Sequence, residues 1–167
     1  MRLSPISNAK PVGGELPGAA FLTGATLSGE RVRVDLGCPG AKALLFLTSS
    51  CHGCMPVWSG LRDMSGLRDM SGLRDMSGLR DMSGLGGVSG PSPRRRVLAV
   101  VPDPATESSD ALRSLAADWL EVVMSSSAWL EFSPGPAPWL ITTDGPRITY
   151  SGPAPSSPRK LRRLLRP

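Results

Sequence analysis

The chain has 167 residues, 40% hydrophobic and 20% charged, which suits one domain with a proper core and excludes both a membrane bundle and a highly charged disordered chain. Glycine (19) and proline (17) together exceed a fifth of the sequence, so loop-rich segments are expected around that core. The net charge of +5 comes entirely from the last ten residues, through Arg159, Lys160, Arg162, Arg163 and Arg166, so the body lacks the basic face that nucleic-acid binding requires.

Residues 1–20 are rich in Pro, Gly and Ala without a sustained period and read as an extended lead-in to a domain over 21–167. The opening stretch lacks the apolar centre of a secretory signal, and no apolar run approaches the roughly 20 residues of a membrane span. Taken literally, the chain is cytoplasmic; a misplaced start that removed an upstream anchor would make it membrane-anchored or extracytoplasmic. Residues 31–36 alternate polar and apolar, as a half-buried strand does. A turn follows at 37–40, where Cys38 is a small turn residue. Residues 43–48 form a short apolar run, consistent with a strand buried on both faces. Ser49 and Ser50 then signal the start of a helix.

Residues 59–82 are four tandem copies of Ser-Gly-Leu-Arg-Asp-Met, with a broken fifth copy ending at Leu85. Apolar residues three apart drift by about 60° per step around a helix, so the tract makes no single core-facing stripe. One Gly per hexad weakens a helix further, by roughly 1 kcal/mol each. Residues 59–85 are therefore read as an inserted repeat that lengthens or loosens the helix it follows. Beyond it, 97–101 is a second buried strand, 108–120 an amphipathic helix carrying Leu112, Leu115, Ala116 and Trp119, and 122–124 a short strand. Residues 127–132 suggest a helical turn. Residues 139–142 and 147–151 flank Asp144-Gly145 as a hairpin, and Leu161, Leu164 and Leu165 line one side of a closing helix. Strands alternating with helices argue an α/β fold, a central mixed sheet flanked by helices.

The most informative local feature is Cys51-His52-Gly53-Cys54. Three cysteines are too few for a disulfide scaffold, but two of them three apart, where a buried strand feeds a helix, can join without large backbone movement. At a helix start, unpaired N–H groups and the dipole favour a thiolate on Cys51, making it the nucleophile. Cys54, one turn on, resolves the mixed disulfide. A protonated His52 would favour the thiolate further; Gly53 completes the dipeptide that modulates the pair. Zinc would need four ligands, and only Cys38 and His52 remain, so no metal or cofactor is expected.

With "LLFLTSSCHGCMPVW", "VLAVVPD" and "APWLITTDG", the sequence resembles the thioredoxin-like superfamily, and most of all the extended bacterial thiol–disulfide oxidoreductases. The resemblance covers roughly residues 20–165 apart from the hexads. It implies a cis Ala137–Pro138 bond facing the cysteines, with backbone available to a substrate chain. It also implies protein disulfides or dithiols as substrates and an upstream protein that donates or accepts electrons. Three positions depart from the family pattern: Leu45 stands where many thioredoxins bury an acid, Ser50 where Trp is common, and His52-Gly53 is neither the thioredoxin nor the strong-oxidant dipeptide.

Two other functions compete. Thr48-Ser49-Ser50-Cys51 matches the second half of the peroxiredoxin motif P-x-x-x-T-x-x-C, although its Pro position holds Leu44. A non-catalytic binding module using the groove or the hexads is the other. The four tryptophans read as core or rim packing, with Trp139 a candidate to border the site. Arg94 to Arg96 reads as a solvated loop. The basic C-terminal face is read as the solvated side of its helix in preference to an anionic-lipid contact.

Overall fold

A computed structural model describes residues 14–16, 21–64 and 95–166. Among these, eight strands form one mixed sheet in the order β1-β8-β7-β4-β5-β6-β2-β3. In chain order the strands are β1 (Gly14–Glu15), β2 (Phe21–Ala25), β3 (Arg31–Asp35), β4 (Ala41–Phe46), β5 (Arg96–Val101), β6 (Glu121–Met124), β7 (Trp139–Asp144) and β8 (Arg147–Pro153). The helices are α1 (Met55–Asp63), α2 (Ser109–Leu115), α3 (Ser126–Phe132) and α4 (Pro158–Leu165). β4, β5 and β6 run parallel; every other pairing is antiparallel.

The alternation of side chains along a strand divides the core in two. Ala43, Leu45 and Leu47 point to one face, where they meet Val57, Trp58 and Leu61 of α1, Leu112 of α2, and Leu161 and Leu165 of α4. Leu44 and Phe46 point to the other, against Leu22, Val34 and Ala128. There Phe46 meets Trp129 edge-on, with ring centroids 5.4 Å apart, and Phe132 at 5.9 Å. β4 is thus buried on both faces, as its unbroken apolar run implies.

Several boundaries differ from the sequence reading. Residues 14–16 belong to the sheet and not to a lead-in: Gly14 pairs with Ile148, Leu16 is buried, and its N–H bonds to the Pro146 carbonyl at 2.9 Å. Two residues are too few to show a period, and the open edge of β8 supplies the specification. β2 gave no strand signal because Gly24 interrupts it. That glycine is required, since a Cβ there would lie 2.4 Å from the Met124 carbonyl oxygen where β2 crosses to β6. The helix read over 108–120 stops at Leu115. Ser108 caps its start, accepting the Ala111 N–H at 3.3 Å, but Ala116 is already extended and Leu120 closes a turn onto Ala117 on the way into β6. The turn read at 127–132 is the two-turn helix α3, capped by Ser125, whose hydroxyl accepts the Ala128 N–H at 3.1 Å.

The first hexad lies in the helix that follows the cysteines. Ser59 to Asp63 complete α1, Leu61 and Met64 are buried, and Gly60 lies against Pro158 and Leu161 of α4. Val57, Trp58, Leu61 and Met64 form a stripe at helical spacing only when the residues before the repeat are counted with its first copy. The later copies lie outside the described residues.

At the entry to β4, Lys42 is buried, and its ammonium donates to the carbonyls of Leu36 (3.3 Å), Cys38 (2.6 Å) and Gly40 (3.3 Å). The turn between β3 and β4 is folded around this cation, with Asp35 accepting the N–H groups of Gly37 (2.8 Å) and Cys38 (3.1 Å). Lys42→Met keeps the aliphatic stem and removes all three donors. We expect a loss of about 1–3 kcal/mol in urea unfolding, with the chemistry of the cysteines, at the other end of β4, unchanged. Unaltered stability would show that the carbonyls find water instead.

Candidate active site

β4 delivers the chain to the C-terminal edge of the parallel strands, where residues 47–54 turn over into α1. Cys51 is half-buried and Cys54 fully buried. The helix starts later than the sequence suggests: Cys54 is the cap of α1 and Cys51 sits in the preceding turn, closed by the Cys54 N–H on the Cys51 carbonyl at 3.0 Å. The reason is Pro56, at the second helical position. It has no N–H to return to residue 52, so the ladder cannot extend back over Cys51. The N–H groups anticipated from a helix start are supplied by the turn itself.

The Cys51 thiol is held below its ordinary value of 9.0, first by a hydrogen bond from the Cys54 side chain; burial, the next-largest influence, opposes this, and the backbone N–H groups of Cys54 and Gly53 and the Thr48 hydroxyl each add a smaller lowering. Cys54 is pushed up to about 12, mainly by burial and next by its bond to Cys51. One thiol is therefore prepared to ionise and its neighbour to hold its proton, the asymmetry that separates an attacking sulfur from a resolving one.

Ala137 and Pro138, 86 and 87 residues further on, complete the cluster. The peptide bond between them is cis. Cys51 Sγ lies 3.4 Å from the Ala137 carbonyl oxygen. Gly53 lies between them: a Cβ there would be 3.2 Å from Pro138 Cδ and 3.8 Å from Cys51 Sγ, so the turn and the proline approach closely because residue 53 lacks a side chain. The structure thus brings together Cys51, Gly53, Cys54, Ala137 and Pro138. His52 is exposed on the turn.

Trp139 does not border the cysteines. It follows Pro138 on the opposite face of β7, against Gly135 and the second core cluster, with its Nε1–H donated to Ser151 at 3.1 Å. Cys38 is exposed at the far end of β4, its thiol bonded to Asp35 at 3.1 Å and pushed up by that bond. Among the described residues no group of three or more His, Cys, Asp or Glu is placed to share a metal ion, and no helix is long and apolar enough to cross a membrane.

Three neighbours of the site are not assigned to it by the sequence, where Thr48 enters only through the peroxiredoxin match. Thr48 accepts the Cys51 N–H on its hydroxyl at 3.2 Å. Trp58, assigned only to packing, also donates its Nε1–H to the Thr48 carbonyl at 3.2 Å. Glu107, buried in the loop after β5, accepts the Ser49 N–H on both carboxylate oxygens at 3.1 and 3.2 Å and the Ser49 hydroxyl as well. The T-x-x-C spacing pointed at Thr48. Nothing local could have pointed at Glu107, 58 residues from its partner.

No protein-family model matches the sequence, and no curated protein matches it. Solved structures do match. A thioredoxin-like protein from Aeropyrum pernix is similar at TM-score 0.54 and 16% identity, over 87% of this chain and 88% of that one. The exposed lipoprotein thioredoxin of Streptococcus pneumoniae is similar at TM-score 0.59 and 14% identity, over 87% and 98%. The thioredoxin domain of a Bacteroides vulgatus thiol–disulfide oxidoreductase is similar at TM-score 0.55 and 13% identity, over 91% and 98%. The chain has the thioredoxin-like fold. Leu45, six residues before Cys51, is fully buried and lies beside Ala99 and Leu140 on the neighbouring strands.

Proposed function

We propose that this thioredoxin-like protein is a thiol–disulfide oxidoreductase acting on protein partners. The observation that carries the proposal is the pair itself: a half-buried Cys51 favoured as thiolate, over a buried Cys54 that holds its proton, facing the backbone of Ala137 and Pro138. In the reducing direction the Cys51 thiolate attacks one sulfur of a partner disulfide, forming a mixed disulfide and releasing a partner thiolate. Cys54 then gives its proton to a released thiolate and attacks the Cys51 sulfur. The Cys51–Cys54 disulfide forms, the second partner thiol leaves, and two electrons have passed to the partner. An upstream dithiol protein restores the pair; the oxidising direction is the same sequence reversed.

The Ala137–Pro138 backbone is the surface assigned to the partner chain, and exposed His52, beside the thiolate, is assigned to tuning its potential when protonated. In the cytoplasm, where thiols are kept reduced, the partner would carry a transient catalytic or sensing disulfide. The test is a redox titration of the purified chain against graded dithiothreitol or glutathione mixtures, with free thiols trapped and counted. One reversible two-electron couple confined to Cys51 and Cys54 is expected. Two thiols that stay reduced across the whole range would overturn the reading.

A further inference from the structure

The Thr48–Ser49 peptide is gripped at both ends. Its carbonyl accepts the indole N–H of Trp58, a fully buried residue of α1. Its N–H is given to both oxygens of Glu107, a carboxylate only 6% exposed. The same carboxylate takes the Ser49 hydroxyl. This group stands outside the chemistry described above, and a carboxylate is not buried beside a loop without consequence, because it must be met by donors in fixed positions. Its donors all belong to one residue, two before Cys51.

Thr48 is the residue that this grip aligns. Its hydroxyl accepts the Cys51 N–H at 3.2 Å, which sets the height of Cys51 in the turn. Thr48 also lowers the Cys51 thiol, adding to the effect of the turn. A hydrogen bond falls off steeply with misalignment. Holding the Thr48–Ser49 peptide plane therefore holds the hydroxyl on which the Cys51 N–H is anchored. The peptide is also polarised, with a negative acceptor at its N–H and a donor at its carbonyl, and linked hydrogen bonds of this kind strengthen one another.

We propose that Glu107 is a positioning residue for Cys51: by fixing the Ser49 N–H it fixes the Thr48–Ser49 peptide, and with it the Thr48 hydroxyl beside the attacking sulfur. The role rests on the thiol–disulfide reading for its purpose, but its geometry does not. The titratable groups around Cys51 are Cys54 beneath it, His52 beside it in the turn and Glu107 behind Ser49; from the segment leading into β7 the facing residues are Ala137 and Pro138, which do not titrate.

The experiment is the pH profile of Cys51 alkylation by iodoacetamide, measured in a Cys38→Ser background so that the exposed third thiol is silent. Alkylation reads the thiolate directly and needs no partner. A chain that exchanges no disulfides can therefore still return a result on Glu107, and the two readings fail separately. Glu107→Ala is expected to move the profile to higher pH, slowing alkylation about tenfold on the acid side, the equivalent of about one pKa unit. Glu107→Gln keeps an acceptor oxygen for the Ser49 N–H and an amide for its hydroxyl, so it is expected to overlay the wild type. A Glu107→Ala profile that superimposes on wild type overturns the proposal. So does a Glu107→Gln profile displaced as far as that of Glu107→Ala, which would mean that charge and not position matters. If Glu107→Ala does not fold, Trp58→Phe removes the donor at the other end of the same peptide. It is expected to move the profile in the same direction, and an unmoved profile overturns the proposal.

Discussion

Cys51→Ser is expected to abolish the proposed disulfide exchange, leaving insulin reduction at the rate of the uncatalysed background, whereas Cys54→Ser should convert the protein into a trap. The difference follows from where the two sulfurs sit. Cys51 is the half-buried one, favoured as thiolate by four hydrogen-bonding groups. Without it, the remaining thiol is Cys54, fully buried, and burial is the largest cause that raises it, so it stays a poor nucleophile at neutral pH. In Cys54→Ser the attacking sulfur survives, and a hydroxyl in place of the Cys54 thiol can still donate to it. The first step proceeds and the second cannot, so one partner should remain covalently attached per protein, released by dithiothreitol and visible as a mass adduct. The pH dependence has a definite sign. Because the Cys51 thiol lies below its ordinary value of 9.0, the attack rate should rise with pH through a midpoint below that of an unperturbed thiol. Turnover that survives Cys51→Ser, or an adduct that forms equally on Cys51→Ser and Cys54→Ser, would contradict the assignment of roles.

The second large effect separates identical hexads by position. Leu61 of the first copy is fully buried between α1 and the sheet, and Leu61→Ala should cost about 2–5 kcal/mol. That is a large share of the roughly 5–15 kcal/mol that holds a typical domain together. Deleting residues 65–82, the next three copies, should by contrast leave the urea midpoint nearly unchanged. The deletion joins Met64 to Ser83-Gly84-Leu85, the same three residues that follow it now, so α1 meets no new neighbour. It also removes just over half of the residues between α1 and β5, and the cost of closing a connection changes only slowly with its length, by about 0.6 kcal/mol for each halving. Should the shortened chain unfold as readily as Leu61→Ala, the later copies hold the fold and are no mere expansion.

Much of the site was legible because its signals are short-range. The cysteine spacing, the apolar run that feeds it and the proline before β7 each lie within a few residues of what they specify. What stayed hidden depends on contacts across the chain. The carboxylate of Glu107 meets Ser49 through the packing of two loops. β1 exists because β8 offers an edge, and the indole of Trp58 looks apolar until its N–H is seen on the Thr48 carbonyl. The late start of α1 was readable from Pro56, whose effect on the preceding turn outweighs the serine signal. The period of three in the hexads gives no helical stripe for a tract taken alone. It misled because the first copy is not alone: Val57 and Trp58 lend it the rest of a helical face.

The ends of the sheet carry one further consequence. Among the described strands, β1 and β3 are the outermost. A free strand edge is a template for pairing with another molecule. β1 offers only two residues. β3 is longer but presents Arg31 and Arg33 outward, the latter lying over the Phe21 ring at 3.7 Å. Two copies meeting along β3 would confront guanidinium with guanidinium, so self-association through this flank is opposed by charge repulsion that salt alone can weaken.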